Sequence, residues 1–321
     1  MEIIKTDISK SAEWDDFLSH EYNMFYDKRF LCYNDVFEKN IKWHHLLFRE
    51  KNKVVAIIPG NEVTDKGVKS YISCDGVSFG GFLWRDKLKI TDFLEAISGF
   101  REYLASRGFA RCLIRNSPYI YHRNANEEYE YALILSGFNV TRYSITNIVD
   151  LKSFEFEKLK NPKKRSIQKS AKIIAIDMIE DNITKDTLGD FYNILYSNRE
   201  LKNVKPTHSL EELVYLKNVM KDRIKLFTAK IDGETAGICT LFLVKDDVVL
   251  NFYLAADEKH KKDRVSDYLL YKTIEWSKLN NFRLYDIGTS NVGNELLQGL
   301  FDFKKKFMAD GFLRKSFTLN L

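Results

Sequence analysis

The sequence predicts a mixed α/β (α+β) fold in which one type of domain occurs twice. In each half of the chain, antiparallel strands are followed by an amphipathic helix and then by a further strand. Phe48 in the first half and Phe227 in the second occupy matching places in this order. The length of 321 residues is sufficient for two domains of ordinary size. We therefore expect domains at residues 1–155 and 156–321, each a mixed, mostly antiparallel sheet flanked by helices.

The elements of the first half are bounded by capping and turn residues. Ser11 is a typical N-cap, and the adjacent Gly80 and Gly81 indicate a bulge or a close backbone approach within a strand. Gly108 and Gly137 each end a helix. The pattern predicts helices at 11–33 and 28–40 with a break near 22–27, strands at 44–49, 54–59 and 70–84, a helix at 91–107, a strand at 109–115, a helix at 129–135 and a strand at 143–151.

The second half repeats this order. Asp232-Gly233 is typical of a hairpin turn between two strands, and a second turn precedes the third strand. The basic run 161–172 carries apolar residues at helical spacing, so an amphipathic helix is favoured over an RNA-binding segment. The other predicted elements are strands at 224–230, 235–244 and 248–255, a helix at 266–280, and strands at 282–287 and 312–319.

Composition and charge narrow the class of protein. The chain is 45% hydrophobic and 30% charged with a net charge of +5, which suits an anionic small substrate and does not require DNA or RNA. The first residues lack the pattern of a signal or transit peptide, and no apolar run approaches the length of a membrane span. The four cysteines lack C-x-x-C spacing, so we expect reduced thiols in a cytoplasmic protein, either a monomer or a weak dimer.

The last forty residues contain the most distinctive pattern. A short strand at 282–287 ends in the small polar residues 288–291, and a segment with the spacing F-K-x-x-F follows at 303–307. On a helix, Phe303 and Phe307 share one face and fix Lys304 beside the end of the strand. A strand end, a polar loop and a fixed lysine are typical of a binding site. A packed helix with solvated lysines explains the same pattern.

Several short motifs, taken in order, resemble one family. They are Phe79-Gly80-Gly81, 118–122 (PYIYH), 205–213 (KPTHSLEEL), 285–290 (YDIGTS), and Gly299-Leu300 with Phe303-Lys304. The chain resembles the tandem GNAT proteins related to the Fem-type peptidyltransferases, in the branch associated with bacterial surface-polysaccharide (amino-sugar) biosynthesis. The resemblance covers nearly the whole chain. It implies two GNAT-like domains with a cleft between them, transfer of an activated acyl group to an amine, and a lysine near the reacting acyl group.

The resemblance also implies where a donor would bind. In GNAT domains the donor lies along the strand before the cofactor helix, here at Tyr253, Leu254 and Ala255. The following loop is basic and leads to a helix that we expect Ser266 to cap, a suitable place for a pyrophosphate. The loop residues that we expect to contact the cofactor are Lys261, Lys262 and Arg264. This loop lacks the glycines usual in GNAT proteins, and a solvated turn is the alternative.

Transfer of an acyl group to an amine passes through a tetrahedral oxyanion. We expect Lys304 to stabilise this oxyanion, and His208 or Asp286 to relay the amine proton. His208 also directly precedes a capping box formed by Ser209 and Glu212. Its alternative role is structural, at the start of that helix. The alternative for Asp286 is also structural, because an aspartate at a strand end often accepts hydrogen bonds from local backbone amides.

The acceptor is expected to contact polar and aromatic residues at the ends of elements. Each of these residues has a purely structural alternative, because scattered tyrosines and solvated helix starts are common. The candidates are Tyr26, Asp75, Asn116, Tyr121, His122, Asn291 and Glu295. No metal is expected, because His44 and His45 are adjacent on a strand and point to opposite faces.

The sequence therefore predicts an N-acyltransferase that uses acyl-CoA, with acetyl-CoA or a short hydroxyacyl-CoA as donor. The acceptor is a nucleotide-linked amino sugar of a surface-glycan pathway, such as lipopolysaccharide biosynthesis. One alternative is a Fem-like transferase that takes its group from an aminoacyl-tRNA and acts on a peptidoglycan precursor. A second is a non-catalytic glycan-binding or scaffold protein, suggested by the loop without glycine.

Overall fold

The computed structural model describes residues 1–85, 88–122, 124–180 and 182–321. The chain forms two compact units. Unit 1 comprises Met1–Ile145, Asn291–Glu295 and Phe312–Leu321, and unit 2 comprises Thr146–Ser290 and Leu296–Gly311. The units are discontinuous in sequence, and the end of the chain belongs to unit 1. The domain division after residue 155 stays a prediction.

Most neighbouring strands are antiparallel and joined by short connections, and helices separate some of them. In chain order they are β1 (Glu2–Thr6), β2 (Lys42–Trp43), β3 (His45–Glu50), β4 (Lys53–Ile58), β5 (Asn61–Asp65), β6 (Val68–Ser73), β7 (Leu83–Trp84), β8 (Arg111–Arg115), β9 (Asn139–Asp150), β10 (Ala175–Met178), β11 (Ile224–Ile231), β12 (Glu234–Lys245), β13 (Val248–Ala256), β14 (Leu284–Thr289), β15 (Asn291–Val292), β16 (Glu295–Leu296) and β17 (Asp310–Asn320).

The helices supply the second layer of each unit. They are α1 (Ala12–His20), α2 (Lys28–Leu31), α3 (Tyr33–Val36), α4 (Ile90–Ser106), α5 (Glu128–Leu135), α6 (Asn161–Ser170), α7 (Lys185–Glu200), α8 (Leu210–Val219), α9 (Val265–Leu279) and α10 (Gln298–Lys305). None of the described helices is both long and apolar enough to cross a bilayer.

The beginning of the chain differs from the predicted pair of long helices. Ser11 caps α1 as expected, its hydroxyl accepting from the N–H of Trp14, but α1 ends at His20. The side chain of Asn23 then caps a single 3₁₀ turn, and that of Asp27 caps α2. Each side-chain cap competes with continued helical bonding, so this stretch breaks into short turns.

Unit 1 contains two strand groups. One has the order β1-β3-β4-β7 and is antiparallel, and the other has the order β17-β8-β6-β5-β2, in which β6 and β8 run parallel. A parallel bridge joins Gly80, which precedes β7, to Asn116, which directly follows β8. The apolar face of α4 packs on Phe48, Tyr71 and Phe82, which form the centre of the core.

Unit 2 contains the strand order β10-β11-β12-β13-β14-β9, of which β9 belongs to this unit from Thr146 onward. β13 and β14 are parallel, and they pair only from Val248↔Leu284 to Leu250↔Asp286. Beyond that point both strands continue without pairing to each other. A separation between two parallel strands leaves an opening at their carboxyl ends, where ligands bind in α/β sheets.

Helix α9 lies close to the sheet of unit 2 because Gly237 has no side chain. A Cβ at Gly237 would come within 2.5 Å of Val265 Cγ1. The buried residues Leu269 and Ile274 of α9 pack on the same core as Tyr285 of β14. Helix α6 is amphipathic as predicted, with Ile167 buried in this core.

Candidate functional site

The separation of β13 from β14 opens a cavity of about 440 Å³ in unit 2. β13 contributes Phe252, Leu254 and Ala255 to its wall, and the end of β14 contributes Gly288 and Thr289. Helices α7, α9 and α10 supply the remaining sides. The volume is in the range of sites for small molecules.

Lys304 lies in the wall of this cavity and is 4% exposed. Its ammonium donates hydrogen bonds to the carbonyl oxygens of Gly288 at 2.8 Å and Thr289 at 2.7 Å. The buried Phe307 and half-buried Phe303 anchor α10, their ring centroids 5.5 Å apart. The lysine is therefore fixed beside the end of β14, as the F-K-x-x-F spacing predicted. The neighbouring Lys305, by contrast, is exposed.

Asp286 lies on β14 two residues before Gly288 and is completely buried. Its carboxylate accepts hydrogen bonds from the backbone N–H of Gly288 at 2.7 Å and from the hydroxyl of Thr146. Gly288 has a φ of +85°, a conformation that favours glycine. Asp286 thus holds the turn whose carbonyl groups accept from Lys304.

His208 contacts Tyr253 of β13 but does not line the cavity. It is 2% exposed, its Nδ1 is 3.1 Å from the hydroxyl of Tyr253, and its backbone N–H donates to the same oxygen. Burial raises the pKa of Tyr253 to about 12. The hydroxyl of Tyr253 therefore keeps its proton and can donate it to the imidazole. The capping box of Ser209 and Glu212 is present as predicted.

A second cavity of about 250 Å³ lies at the N-terminus of α9. Its wall includes Lys261, Arg264 and Ser266. Asn198, Ser266 and Phe303 line both cavities, so the two cavities lie next to each other. An elongated ligand could therefore run from the basic loop to Lys304.

The start of α9 differs from the prediction in one respect. The N-cap residue is Arg264, with a φ of 58°, and no side chain caps the helix. Ser266 lies inside the first turn and is not the cap, because a 3₁₀ segment, Glu258–Asp263, runs directly up to Arg264. The first N–H groups of an uncapped helix carry partial positive charge and favour an anion.

The basic loop before α9 is partly neutralised by nearby carboxylates. Lys261 pairs with Glu258, and Lys259 pairs with Glu234. Among the predicted cofactor contacts, Arg264 lines the second cavity, whereas Lys262 lines only a shallow surface depression beside it. The positive charge that an anion would meet in this cavity comes mainly from Arg264 and the helix end.

Two cations in the first cavity were missed by the analysis of the sequence. Arg199, at the end of α7, places its guanidinium 5.6 Å from the ring centre of Tyr253, and burial lowers its pKa. Lys202 follows it and donates to Asn198. Loss of solvation and the charge of Arg199 lower the pKa of Lys202.

Arg199, Lys202 and Lys304 give this cavity a positive charge. Within the described part of the chain, burial and Tyr253 are the only influences on the pKa of Arg199, and no carboxylate lines the cavity. An arginine and a lysine three residues apart near a helix end are common, so the sequence contained no specific signal for them. The arrangement favours an anionic ligand.

Four of the predicted acceptor residues in unit 1 differ in whether they line a cavity or are buried in the protein. Asn116 and His122 line a cavity of about 330 Å³. Tyr26 is buried and donates to the carbonyl of Gly81, and Tyr121 is buried against Phe79. These two tyrosines therefore have structural contacts.

The other three acceptor candidates lie at local turns or on the surface. Asp75 accepts from Asn61 and Arg115, and Asn291 accepts from the backbone N–H of Ile145. Glu295 is exposed. A role of these residues in binding a substrate stays a prediction. Among the described residues, no group of three or more His, Cys, Asp or Glu side chains is placed to hold a metal ion.

Comparison with known proteins identifies the fold of the chain and the type of one of its domains. Residues 163–305 match the family model described as an acetyltransferase (GNAT) domain. Every residue named above in the wall of the first cavity of unit 2 lies within this match. No curated protein sequence matches the chain.

Solved structures resemble the chain over nearly its whole length at low sequence identity. The crystal structure of FemX has a TM-score of 0.72 and 11% identity, covering 100% of this chain and 98% of that chain. L-PGS from Bacillus licheniformis has a TM-score of 0.63 and 13% identity, covering 95% and 90%. A tandem GNAT protein from the clavulanic acid biosynthesis pathway has a TM-score of 0.56 and 10% identity, covering 99% and 98%. The predicted mixed fold of tandem GNAT-like type is confirmed.

Proposed function

We propose that the chain is an N-acyltransferase that moves an acyl group from acyl-CoA to the amine of a nucleotide-linked amino sugar. The observation that carries this proposal is the pair of adjacent cavities in unit 2, which extend from an uncapped helix end to a buried lysine. The match of residues 163–305 to a GNAT acetyltransferase domain supports an acyltransferase.

The donor is proposed to lie along the unpaired edge of β13. Its pyrophosphate would meet the first N–H groups of α9 together with Arg264. The negative charge of Asp267 in that helix turn is offset, because Lys163 pairs with it. The acyl arm would pass Leu254 and Ala255, whose β13 edge has no partner from β14.

In the reaction, the nitrogen of the acceptor amine attacks the thioester carbonyl carbon. A C–N bond forms, the carbonyl oxygen takes negative charge, and the C–S bond then breaks. The thiolate leaves and becomes the free thiol with the proton lost by the amine, so the products are an amide and CoA. Lys304 would stabilise the oxyanion by its charge, and holding the two reactants together supplies much of the acceleration.

We propose that Asp286 and His208 are positioning residues. Asp286 fixes the turn that presents two carbonyl groups to Lys304, and His208 bonds the hydroxyl of Tyr253 behind the cavity wall. Neither lines the cavity, so a direct relay of the amine proton by either would need a linking water. The proton can instead leave through solvent to the thiolate.

The positive charge of the first cavity supports a nucleotide-linked acceptor. Arg199 and Lys202 lie in its wall without a carboxylate among the described lining residues. A diphosphate is a ligand that can neutralise both. All four cysteines are free. Free thiols are usual in a reducing compartment, which supports the proposal of a cytoplasmic enzyme of lipopolysaccharide or related glycan biosynthesis.

The test is release of free thiol from acetyl-CoA and short hydroxyacyl-CoA donors in the presence of nucleotide-linked amino sugars. We expect thiol release to depend on both substrates and to match formation of the amide in mass spectra. The absence of turnover with every donor, although glycans bind, would replace the proposal with a non-catalytic binding role.

An aminoacyl-tRNA donor is the second candidate function. Two observations favour it: the likeness to FemX over the whole chain, and a loop before α9 that contains no glycine. In that case charged tRNA would bind with a steep dependence on salt, and CoA would not bind. The acceptor would then be a peptidoglycan precursor.

A further inference from the structure

Asn251 lies at the point where β13 separates from β14. The last residue of β13 that pairs with β14 is Leu250, opposite Asp286, and Asn251 is the next residue along β13. The carbonyl oxygen of Asn251 lies close to Gly288, because a Cβ at Gly288 would be 3.6 Å from it. The carbonyl of Gly288 in turn accepts from Lys304. Asn251 and Lys304 therefore both line the first cavity of unit 2 beside the point where the two strands diverge.

The side-chain amide of Asn251 is anchored from inside the protein. Its Nδ2 donates to the hydroxyl of Tyr285 at 3.0 Å, and that hydroxyl is 2.7 Å from Oγ1 of Thr273. Tyr285 and Thr273 are completely buried, and neither of these described residues lines the cavity. Three linked polar groups thus hold the amide in one orientation.

The direction of each hydrogen bond in this chain follows from its last member. The hydroxyl of Thr273 donates to the carbonyl oxygens of Leu269 and Leu270, each at 3.0 Å. It therefore accepts from Tyr285, whose hydroxyl keeps its proton because burial raises its pKa well above the usual value. The Tyr285 oxygen then accepts from Asn251. Consequently Nδ2 of Asn251 faces Tyr285, and Oδ1 faces away from it.

The amide oxygen of Asn251 has no donor from the protein. Asn251 is 5% exposed, and no described group donates a hydrogen bond to its Oδ1, which is accessible to solvent. Since Nδ2 is occupied inside the wall and Asn251 lines the cavity, Oδ1 is the polar atom of this side chain that a ligand can reach. A ligand that donates a hydrogen bond is the partner that Oδ1 requires.

The other polar groups of the cavity indicate which donor this is. The charged side chains among its described lining residues are Arg199, Lys202 and Lys304, and all three are cations that only donate. The second amide in the wall, Asn198, already accepts from Lys202. Nearby cations disfavour a charged ammonium group, so an amine bound beside them is neutral and retains its lone pair. A neutral amine nitrogen can donate one N–H to Oδ1 and still act as a nucleophile.

We infer that Asn251 is a catalytic residue whose Oδ1 binds the nitrogen of the acceptor amine. One N–H of the amine donates to Oδ1 and directs the lone pair toward the thioester carbonyl carbon, while Lys304 faces the carbonyl oxygen. No bond to Asn251 forms or breaks, and the amide takes no proton, so the amine proton passes through solvent to the thiolate. The inference rests on the proposed function, because it assigns the amine end of the same site.

The first experiment is a calorimetric titration of the full chain, as wild type and as Asn251→Leu. The probes are a nucleotide-linked amino sugar that supports thiol release and its counterpart with hydrogen in place of the amine. The wild type should bind the amino sugar about tenfold more tightly than the counterpart, the effect of one hydrogen bond. Asn251→Leu should bind the two probes equally and bind CoA with the wild-type Kd.

The second experiment is the pH profile of thiol release by Asn251→Asp, which keeps the shape of the side chain. A carboxylate at this position would stabilise the ammonium form of the bound amine and raise its pKa by about 1 or more. The pH of half-maximal rate should therefore move upward by a similar amount. Tyr285→Phe is the matched control, because it removes the internal hydrogen bond and keeps Oδ1. Its pH profile should equal that of the wild type.

Three results would overturn the inference. They are equal binding of the two probes by the wild type, an undiminished preference for the amino sugar in Asn251→Leu, and a wild-type pH profile in Asn251→Asp. The third measurement remains informative if Asn251→Leu does not fold. In each case thiol release by the wild type would still support the proposed function. The absence of thiol release with every donor and amino sugar would instead remove the proposed function, and this inference with it.

Discussion

At the scale of single residues, Lys304 is the feature on which the proposed chemistry depends. The sequence could predict its position, because Phe303 and Phe307 at helical spacing determine which side of the segment packs against the protein. It could not predict Arg199 or Lys202, because their place in the cavity results from long-range packing of α7 against β12 and β13. A local pattern carries no information about such a contact.

Replacing Lys304 with Met is expected to lower kcat by about 10²–10³-fold, the usual effect of removing one oxyanion-stabilising group. Lys305→Met is the matched control, because Lys305 is exposed on the same helix and pairs only with Asp310 in the described structure. Thiol-release kinetics and thermal denaturation should be measured for both. An unchanged kcat in a folded Lys304→Met protein would remove the proposed role.

Acid should destabilise unit 1 through His45. Its ring is 2% exposed and stacks on Trp43, and burial lowers its pKa to about 3. An unfolded histidine has a pKa of about 6.5, so between pH ~6.5 and 3 the unfolded chain binds more protons. As the pH is lowered across this window, the free energy of unfolding is therefore expected to decrease. This residue contributes up to about 1.4 kcal/mol per pH unit.

Urea denaturation at a series of pH values can isolate this contribution. The wild type should lose more stability between pH 7 and 4 than the variant His45→Gln, which has no group that titrates there. Identical pH dependence of the two proteins would show that His45 is protonated in the folded state or exposed to solvent.

At the scale of elements, the positions of helices and strands were largely predictable from apolar periodicity. The strands β11 to β14 of unit 2 and the helices α4, α6 and α9 occur near the predicted places, whereas β10 was not predicted. The break expected near 22–27 occurs at the side-chain caps of Asn23 and Asp27, but the helix expected to extend over 11–33 ends at His20. The cap of α9 was also wrong, because the left-handed conformation of Arg264 is set by the preceding 3₁₀ turn.

The close packing of α9 leads to a prediction at this scale. Gly237→Ala should destabilise unit 2 by about 1–3 kcal/mol, since the new Cβ would overlap Val265 at the start of α9. Because this displaces the helix end, CoA binding should also weaken.

Gly189→Ala in α7 is the control for this substitution. A Cβ there has no described atom within 4 Å, so the change should stabilise the helix by about 0.5–1 kcal/mol. Chemical denaturation and CoA titration of both variants check the pair. Equal stability of the two variants would contradict the close contact of α9 with the sheet.

At the scale of the whole molecule, the repeated order of elements could be predicted, but the pairing of distant strands could not. The alternation in residues 312–319 predicted a strand, which the structure contains as β17. Its partner within unit 1 is β8, with Phe317 opposite Ile114. An alternating pattern specifies a buried face and leaves the neighbouring strand open.

The repeat also gives a prediction about stoichiometry. In unit 2 the acidic residue in the first turn of α9, Asp267, is neutralised by Lys163, whereas in unit 1 no described cation pairs with the corresponding Asp92 of α4. One CoA molecule should therefore bind per chain, although the arrangement of elements occurs twice.

The most direct test of the account is a calorimetric titration of the purified chain with CoA, repeated with the variants Arg264→Glu and Asn116→Leu. We expect one equivalent of CoA to bind, with binding weakened by salt and by Arg264→Glu and unaffected by Asn116→Leu. Absence of CoA binding, or binding insensitive to Arg264→Glu, would contradict the assignment of the donor site to unit 2.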